Sequence, residues 1–378
     1  MRTTTFKVGV AALALTALTA CTSSLESGGE STDEGRERAD AAAELVDEAK
    51  AVPTTDDLGD PIDVSSLAGE TIYSIPIDST AEFYTAGERA MAAVAEQAGI
   101  DYVTFPSDGT QTSYQQGIAQ AINAGASAIL LNGPLAETLG PSIDAAKDAG
   151  IPVIPLHISD SEGEGTPGLE YEAYAPFNQA ARLMALAAIA DADGVPVHAL
   201  VIQSSETGPA AGMVETIEET LEESGPEGSE ATVINVAVPQ WSTQIQSQVQ
   251  SALVREQDIN AVLPIYDSMA LYASPGIRQA AGSREVPIYT FNGTPSILRM
   301  VQDGEVAVNI AENPDWVAYV NMDVAFRAIL GEEPIPGESG PIRLIDESNV
   351  AETGNPPESG KGFGDEYAAA YLELWGLS

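Results

Sequence analysis

From Thr71 onward, short apolar runs rich in β-branched residues alternate with longer stretches whose apolar positions repeat at helical spacing. Residues 71–75, 102–105, 128–131 and 153–156 read as strands, and each leads into a helix-length segment. On the first such segment Phe83, Gly87, Ala90, Val94 and Ala98 share a face, and on the second Tyr114, Ile118, Ala121 and Ile122 do so. The alternation resumes with strand-like runs at 199–203, 232–236, 261–265, 286–291 and 307–311. Strands separated by helices predict parallel sheets covered on both faces, and the count is about twice what one such sheet needs. The expected class is α/β, with two doubly wound parallel-sheet lobes.

Residues 22–67 break this pattern. They are rich in Ser, Gly, Asp, Glu and Ala and poor in aromatics, a composition expected to act as a tether and not to bury a core. One loose helix is allowed over 39–51, and Pro53 and Pro61 interrupt anything longer. As a random coil, a segment of this length would hold a domain roughly 40 Å from its point of attachment.

The first residues carry chemistry of their own. Arg2 and Lys7 form a positive start, residues 8–17 are apolar, and small residues precede Cys21, the three-part layout of a secretory signal peptide. The apolar run is too short to remain as a membrane span. Leu18, Thr19, Ala20 and Cys21 resemble a bacterial lipobox, which implies cleavage after Ala20 and a diacylglycerol thioether on Cys21. Because Cys21 is the only cysteine, its acylation would leave no thiol for a disulfide or a metal site.

Charge narrows the range of partners. Removing Arg2 and Lys7 from the 15 basic residues leaves 13 against 57 acidic ones, a formal charge of −44. That field repels nucleic acid and anionic lipid headgroups, and its dispersal along the chain marks a solvated acidic surface, not a cation-binding device. Phosphate-loop, zinc-helix and nucleophile-elbow motifs are absent from the sequence, and His157 and His198 are the only histidines. The acidic run 160–164 loosely resembles a calcium loop but lacks the twelfth-position glutamate. No cofactor and no metal is expected. Instead, the loops at the carboxyl ends of the strands hold amides, carboxylates and aromatics, the groups that bind polar solutes.

Three motifs in order, Ile265 to Tyr272 (I-Y-D-S-M-A-L-Y), Thr290 to Pro295 (T-F-N-G-T-P) and Ile310 to Asp315 (I-A-E-N-P-D), resemble the periplasmic sugar-binding proteins of the ribose-binding type. Residues 78–84 and 125–132 fit the same family, and the resemblance covers roughly 71–330. It implies a two-lobed periplasmic binding protein fold and an extracytoplasmic solute receptor of an ABC importer, with no enzymatic activity. Phe83 and Tyr84 match the aromatics that stack on a sugar face from one lobe, and Trp241 matches the opposing aromatic. Tyr266 replaces the family's asparagine beside Asp267, Asn292 stands where an aspartate is usual, and Glu312 where glutamine is frequent. His157 falls near the place of a missing Asp-Arg pair, and no arginine occurs near Ala211. Asp267 either caps the following helix or reaches the ligand, and Asn292 either turns the chain before Gly293 or does the same. Trp316 and Trp375 read as packing residues.

The expected ligand set is therefore Phe83, Tyr84, His157, Trp241, Tyr266, Asp267, Asn292 and Glu312, around a small neutral sugar or polyol. The expected organisation is a signal peptide over 1–20, a lipid-anchored acidic linker over 21–67, one lobe from 68–173 plus 313–335, and the other from 174–312 plus 336–378. Chain crossings between the lobes are expected near 170–177, 312–313 and 333–337. The protein is expected to be a monomer, held to the bacterial cell membrane by lipidated Cys21 and working with ABC permease subunits. A receptor reporting to a sensor kinase or chemoreceptor, and a glycoside-processing enzyme on the same scaffold, are the alternatives.

Overall fold

The computed structural model describes residues 31–55 and 58–377, so the signal-peptide and lipobox readings, including Cys21, lie outside the described residues. The chain begins with helix α1 (Asp33–Glu48), capped by Thr32, whose side chain accepts from the Gly35 amide. The first lobe is built from β1 (Thr71–Pro76), α2 (Glu82–Ala98), β2 (Asp101–Thr104), α3 (Gln111–Ala124), β3 (Ala128–Asn132), α4 (Gly140–Asp148), β4 (Val153–Asp160) and β5 (Ala173–Ala175). The second takes α5 (Phe177–Asp191), β6 (His198–Gln203), α6 (Ala210–Ser224), β7 (Glu230–Asn235), α7 (Trp241–Arg255), β8 (Ala261–Pro264), α8 (Ala270–Ala280), β9 (Tyr289–Asn292), α9 (Pro295–Gln302) and β10 (Val308–Glu312). Three elements close the chain: α10 (Pro314–Leu330), β11 (Ile342–Ile345) and α11 (Glu366–Leu374).

Both sheets follow one plan. The first has the order β2-β1-β3-β4-β5, all parallel. In the second, β7-β6-β8 continues through a bridge between Val262 and Ile288 to β9-β10-β11, of which only β11 runs antiparallel. Central strands such as β3 (AILLN) are buried along their whole length, which is why they read as continuous apolar runs. Strand order reverses between β2-β1 and β3 in one lobe and between β7-β6 and β8 in the other, the places where open α/β sheets leave a crevice for ligands.

Residues 31–55 and 58–67 are not a tether. Ala42 and Val46 of α1 are buried in the second lobe's core with α5, and Arg38 donates to the carbonyls of Glu223 and Gly225. A helix that packs through alanines presents a low-hydropathy face, so its acidic composition masked a docking surface. The chain then pairs with β11, Leu344 donating to the Ala49 carbonyl, before Ile62, Val64 and Leu67 enter the first lobe's core.

The last segment also departs from expectation. Residues 336–378, assigned above to the second lobe alone, are divided: β11 extends the second sheet, whereas α11 packs on α10 in the first lobe. Trp375, fully buried, stacks on Tyr319 at 5.5 Å and meets Phe326 edge-on at 5.0 Å. Its Nε1 donates to Asp323 at 2.6 Å, and Asp323 also accepts from Arg327 Nε at 2.5 Å. Trp316 is buried as well, stacked on Tyr367 at 4.5 Å, so both tryptophans pack as read.

The chain consequently passes between the lobes five times among the described residues: between Ala49 and Ile62, between β5 and α5, between β10 and α10, between α10 and β11, and between β11 and α11. The second and fourth passages run side by side, with the Tyr174 amide donating to the Glu338 carbonyl at 2.9 Å.

Trp375→Ala should destabilise the protein by roughly 3–5 kcal/mol, the usual cost of emptying a buried aromatic site. Urea denaturation measures this, and a loss within the roughly 0.5 kcal/mol typical of surface changes would contradict the packing role.

Candidate functional site

The loop after β1 is shaped by Asp78, whose Oδ1 accepts from the Thr80 amide at 2.8 Å and the Thr80 hydroxyl at 2.7 Å. This turn delivers Phe83 and Tyr84 on the first turn of α2, their rings edge to face at 5.3 Å. The Tyr84 hydroxyl lies over Gly133, after β3, where a Cβ would come within 2.6 Å of it, so glycine is required for the approach. Burial raises the Tyr84 hydroxyl pKa far above the ordinary phenol value.

His157, near the end of β4, adopts a left-handed backbone at φ 58°, uncommon for a residue with a Cβ. Its ring packs under Phe83 at 4.9 Å and against Phe177 at 4.8 Å. From the second lobe Glu312, at the end of β10 and 1% exposed, receives His157 Nε2 between its oxygens at 2.9 and 3.2 Å. A carboxylate only accepts, so Nε2 carries the proton. Asn292, at the end of β9 with φ 139°, donates Nδ2 to the same carboxylate at 3.3 Å. Two residues with positive φ and a buried carboxylate thus form the floor between the lobes.

The second lobe contributes a wall of rings. Trp241 opens α7, its Nε1 donating to Ser204 Oγ at 2.8 Å and to the Val236 carbonyl at 3.1 Å, which turns the indole N–H inward and leaves the ring beside Tyr266 at 6.1 Å. Tyr266 donates its hydroxyl to Thr207 Oγ1 at 2.9 Å. Across the mouth Ser296 donates to Glu82 at 2.6 Å, and a Cβ on Gly208 would meet the Ile158 carbonyl at 2.5 Å, so the lobes touch at these points.

These groups enclose a cavity of about 350 Å³, within the size range of small-molecule sites. Phe83, Tyr84, His157, Trp241, Tyr266 and Asn292 line it. Asp267 and Glu312 lie behind the lining. Glu312 holds His157 and Asn292, whereas Asp267, fully buried, accepts from the Thr294 amide at 2.7 Å and its hydroxyl at 2.8 Å. Asp267 therefore ties down the β9–α9 loop; it makes no side-chain cap, and burial pushes its carboxyl up to about 6. Sequence reasoning missed Pro209, Val238, Leu271 and Tyr272, which also line the cavity. Tyr272 is on α8, one turn beyond Ser268, where reading only the loop stops. The loop at the carboxyl end of β2, residues 107–112, does not reach the cavity. A larger hollow, about 690 Å³, lies at the amino ends of β8–β10, the opposite end from the crevice, and has no facing aromatics apart from Tyr289.

The family model of the periplasmic binding protein domain matches residues 72–333. The ribose import binding protein of Escherichia coli is 22% identical over 276 residues, covering 72% of this chain and 89% of that protein. Among solved structures, an ABC sugar transporter subunit from Rhodobacter sphaeroides superposes with a TM-score of 0.64 at 21% identity, covering 75% of this chain and all of that one. A 5-methylthioribose transporter solute-binding protein from Thermotoga lettingae gives 0.64 at 16% identity, covering 81% and 92%. With its two parallel sheets, its floor of residues from both lobes and a family match over most of its length, the chain belongs to the type I periplasmic binding proteins.

Proposed function

We propose that this protein is an extracytoplasmic solute-binding lipoprotein of an ABC importer, closing two lobes around a small neutral sugar or related polyol and presenting the closed form to permease subunits. The observation that carries the reading is a cavity shared by both strand-order reversals, lined by aromatics from each lobe and floored by His157 and Asn292. A sugar ring offers C–H faces to such rings and hydroxyls to the polar floor. The functions of its relatives support it: ribose import in Escherichia coli, sugar transport in Rhodobacter sphaeroides and 5-methylthioribose transport in Thermotoga lettingae. Among the described residues no Lys or Arg lines the cavity, whereas Asp78 and Glu82 do, which disfavours an anionic ligand. No helix among the described residues is long and apolar enough to cross a membrane, and attachment is assigned to Cys21. The mechanism is a population shift. Contacts divided between lobes favour the closed state by their differential affinity, with no covalent step.

Three measurements test this reading. Metabolic labelling with a palmitate analogue should mark the wild type and not Cys21→Ser, and the variant, if still cleaved, should leave the membrane, because retention depends on more than one acyl chain. Equal labelling would refute the anchor. Small-angle scattering should show a smaller radius of gyration for the soluble fragment at ligand saturation than without ligand; an unchanged profile in a protein shown to be open when empty would refute closure. Trp241→Ala should weaken binding by about 2 kcal/mol or more, as truncation of an aromatic anchor does. Its effect on unliganded stability should be the smaller one, since the ring is only partly buried. Unchanged affinity by calorimetry would remove Trp241 from the site.

A further inference from the structure

The two walls of the cavity differ in what they have left to offer a ligand. On the second lobe's side, the polar groups are largely spent within the protein. Trp241 Nε1 is held by Ser204 and Val236, the Tyr266 hydroxyl by Thr207, and Thr207 Oγ1 itself donates to the Ser204 carbonyl at 2.8 Å. What this wall presents is ring and aliphatic surface: Trp241, Tyr266, Tyr272, Pro209, Val238 and Leu271. Leu271 is 41% exposed although it lines the cavity, an apolar side chain left facing solvent at the rim. Among the described residues the side-chain hydroxyls left unbonded on this wall are those of Tyr272 and Ser242, while Ser268 donates its own to Asp267 at 3.3 Å.

The first lobe's wall and the floor are different. Asp78 and Glu82 each use one carboxylate oxygen within the protein and keep the other, the Tyr84 hydroxyl is unengaged among the described residues, and Asn292 keeps its carbonyl oxygen. His157 Nε2 is committed to Glu312. Polar capacity is thus gathered on one side of the cavity, and apolar surface on the other.

An unsubstituted monosaccharide or inositol carries hydroxyls all round its ring. Against the second wall some of them would lose water without gaining a partner, at a cost that apolar contact does not offset. A ligand that matches both walls has hydroxyls on one edge and apolar surface on the other. We infer that the ligand is a sugar or polyol bearing an apolar substituent, such as a thioalkyl, aryl or nucleobase group, with its hydroxyls toward Asp78, Tyr84 and Asn292 and the substituent against Val238, Leu271 and Tyr272. This inference rests on the sugar-receptor reading and refines it.

The test is titration calorimetry of the soluble protein with matched pairs: ribose against 5-methylthioribose and adenosine, and glucose against phenyl β-D-glucopyranoside, with myo-inositol alongside. At least one substituted compound should bind about tenfold or more tightly than its parent, the discrimination that one or two buried apolar groups supply. Leu271→Ser, at a partly exposed position where folding is not at stake, should lower the derivative's affinity by a much larger factor than the parent's and so erase most of that preference. Parents that bind as tightly as their derivatives would overturn the inference and leave the sugar reading standing. Equal losses for both members of a pair in Leu271→Ser would overturn the assignment of the substituent to that wall. A folded protein that binds none of the compounds would overturn the inference and the sugar reading together.

Discussion

The pairing of His157 with Glu312 is the contact on which the cleft depends. One partner ends a strand of the first sheet, the other ends a strand of the second, and both are almost wholly buried. An isolated carboxylate at that depth would pay a large desolvation penalty, so each side needs the other, and the lobes are held in register at their common floor. The same carboxylate accepts from Asn292, and the imidazole carries Phe83 on one face and Phe177 at its edge. The positive φ values of His157 and Asn292 are sustained because this network over-determines them. Removing the pair would free the floor, the first aromatic layer above it and the two strained strand ends together.

Little of the chain's acidity lies at this cleft. Of the carboxylates near the cavity, Glu312 and Asp267 are buried as structural acceptors, while Asp78 and Glu82 are shared between turn formation and the mouth. Most of the rest face water, where their mutual repulsion is screened by salt. The cores are strongly apolar: α5 buries a nearly unbroken run of alanine, leucine and methionine between the second sheet and α1.

Much of the fold was legible because buried parallel strands announce themselves as continuous apolar runs, and nine of them fell within a few residues of their observed positions. The two that were missed carry a reason each. β5 is three residues long, and β11 contains Arg343, whose buried guanidinium is satisfied by the Lys50 and Gly362 carbonyls and the Glu352 carboxylate. None of these partners is visible from the strand itself. The helix α1 was underestimated for a similar reason, since alanine spacing predicts close approach only when the opposing surface is known. At the site, the aromatics were recoverable from motif and position. The roles of Glu312 and Asp267 were not, because their partners lie far along the chain: His157 is 155 positions from Glu312, and Thr294 is 27 from Asp267. Tyr272 and Leu271 were overlooked because a helix's first turn can serve a cleft as well as a loop does.

The five chain passages between the lobes have a mechanical consequence. Two bodies linked by one flexible strand can bend, twist and slide; each further link removes a degree of freedom, and links that lie side by side remove more. For the lobes to twist, the neighbouring passages at Tyr174 and Glu338 would have to shear past one another and break the hydrogen bond between them. Bending about the floor costs far less, because it changes only torsions at a few positions in each passage. In the proposed closing mechanism, the coordinate that these links leave soft is the angle of the cleft. Any surface that touches both lobe tips then reads occupancy as one distance, and thermal noise in other directions contributes little to that signal.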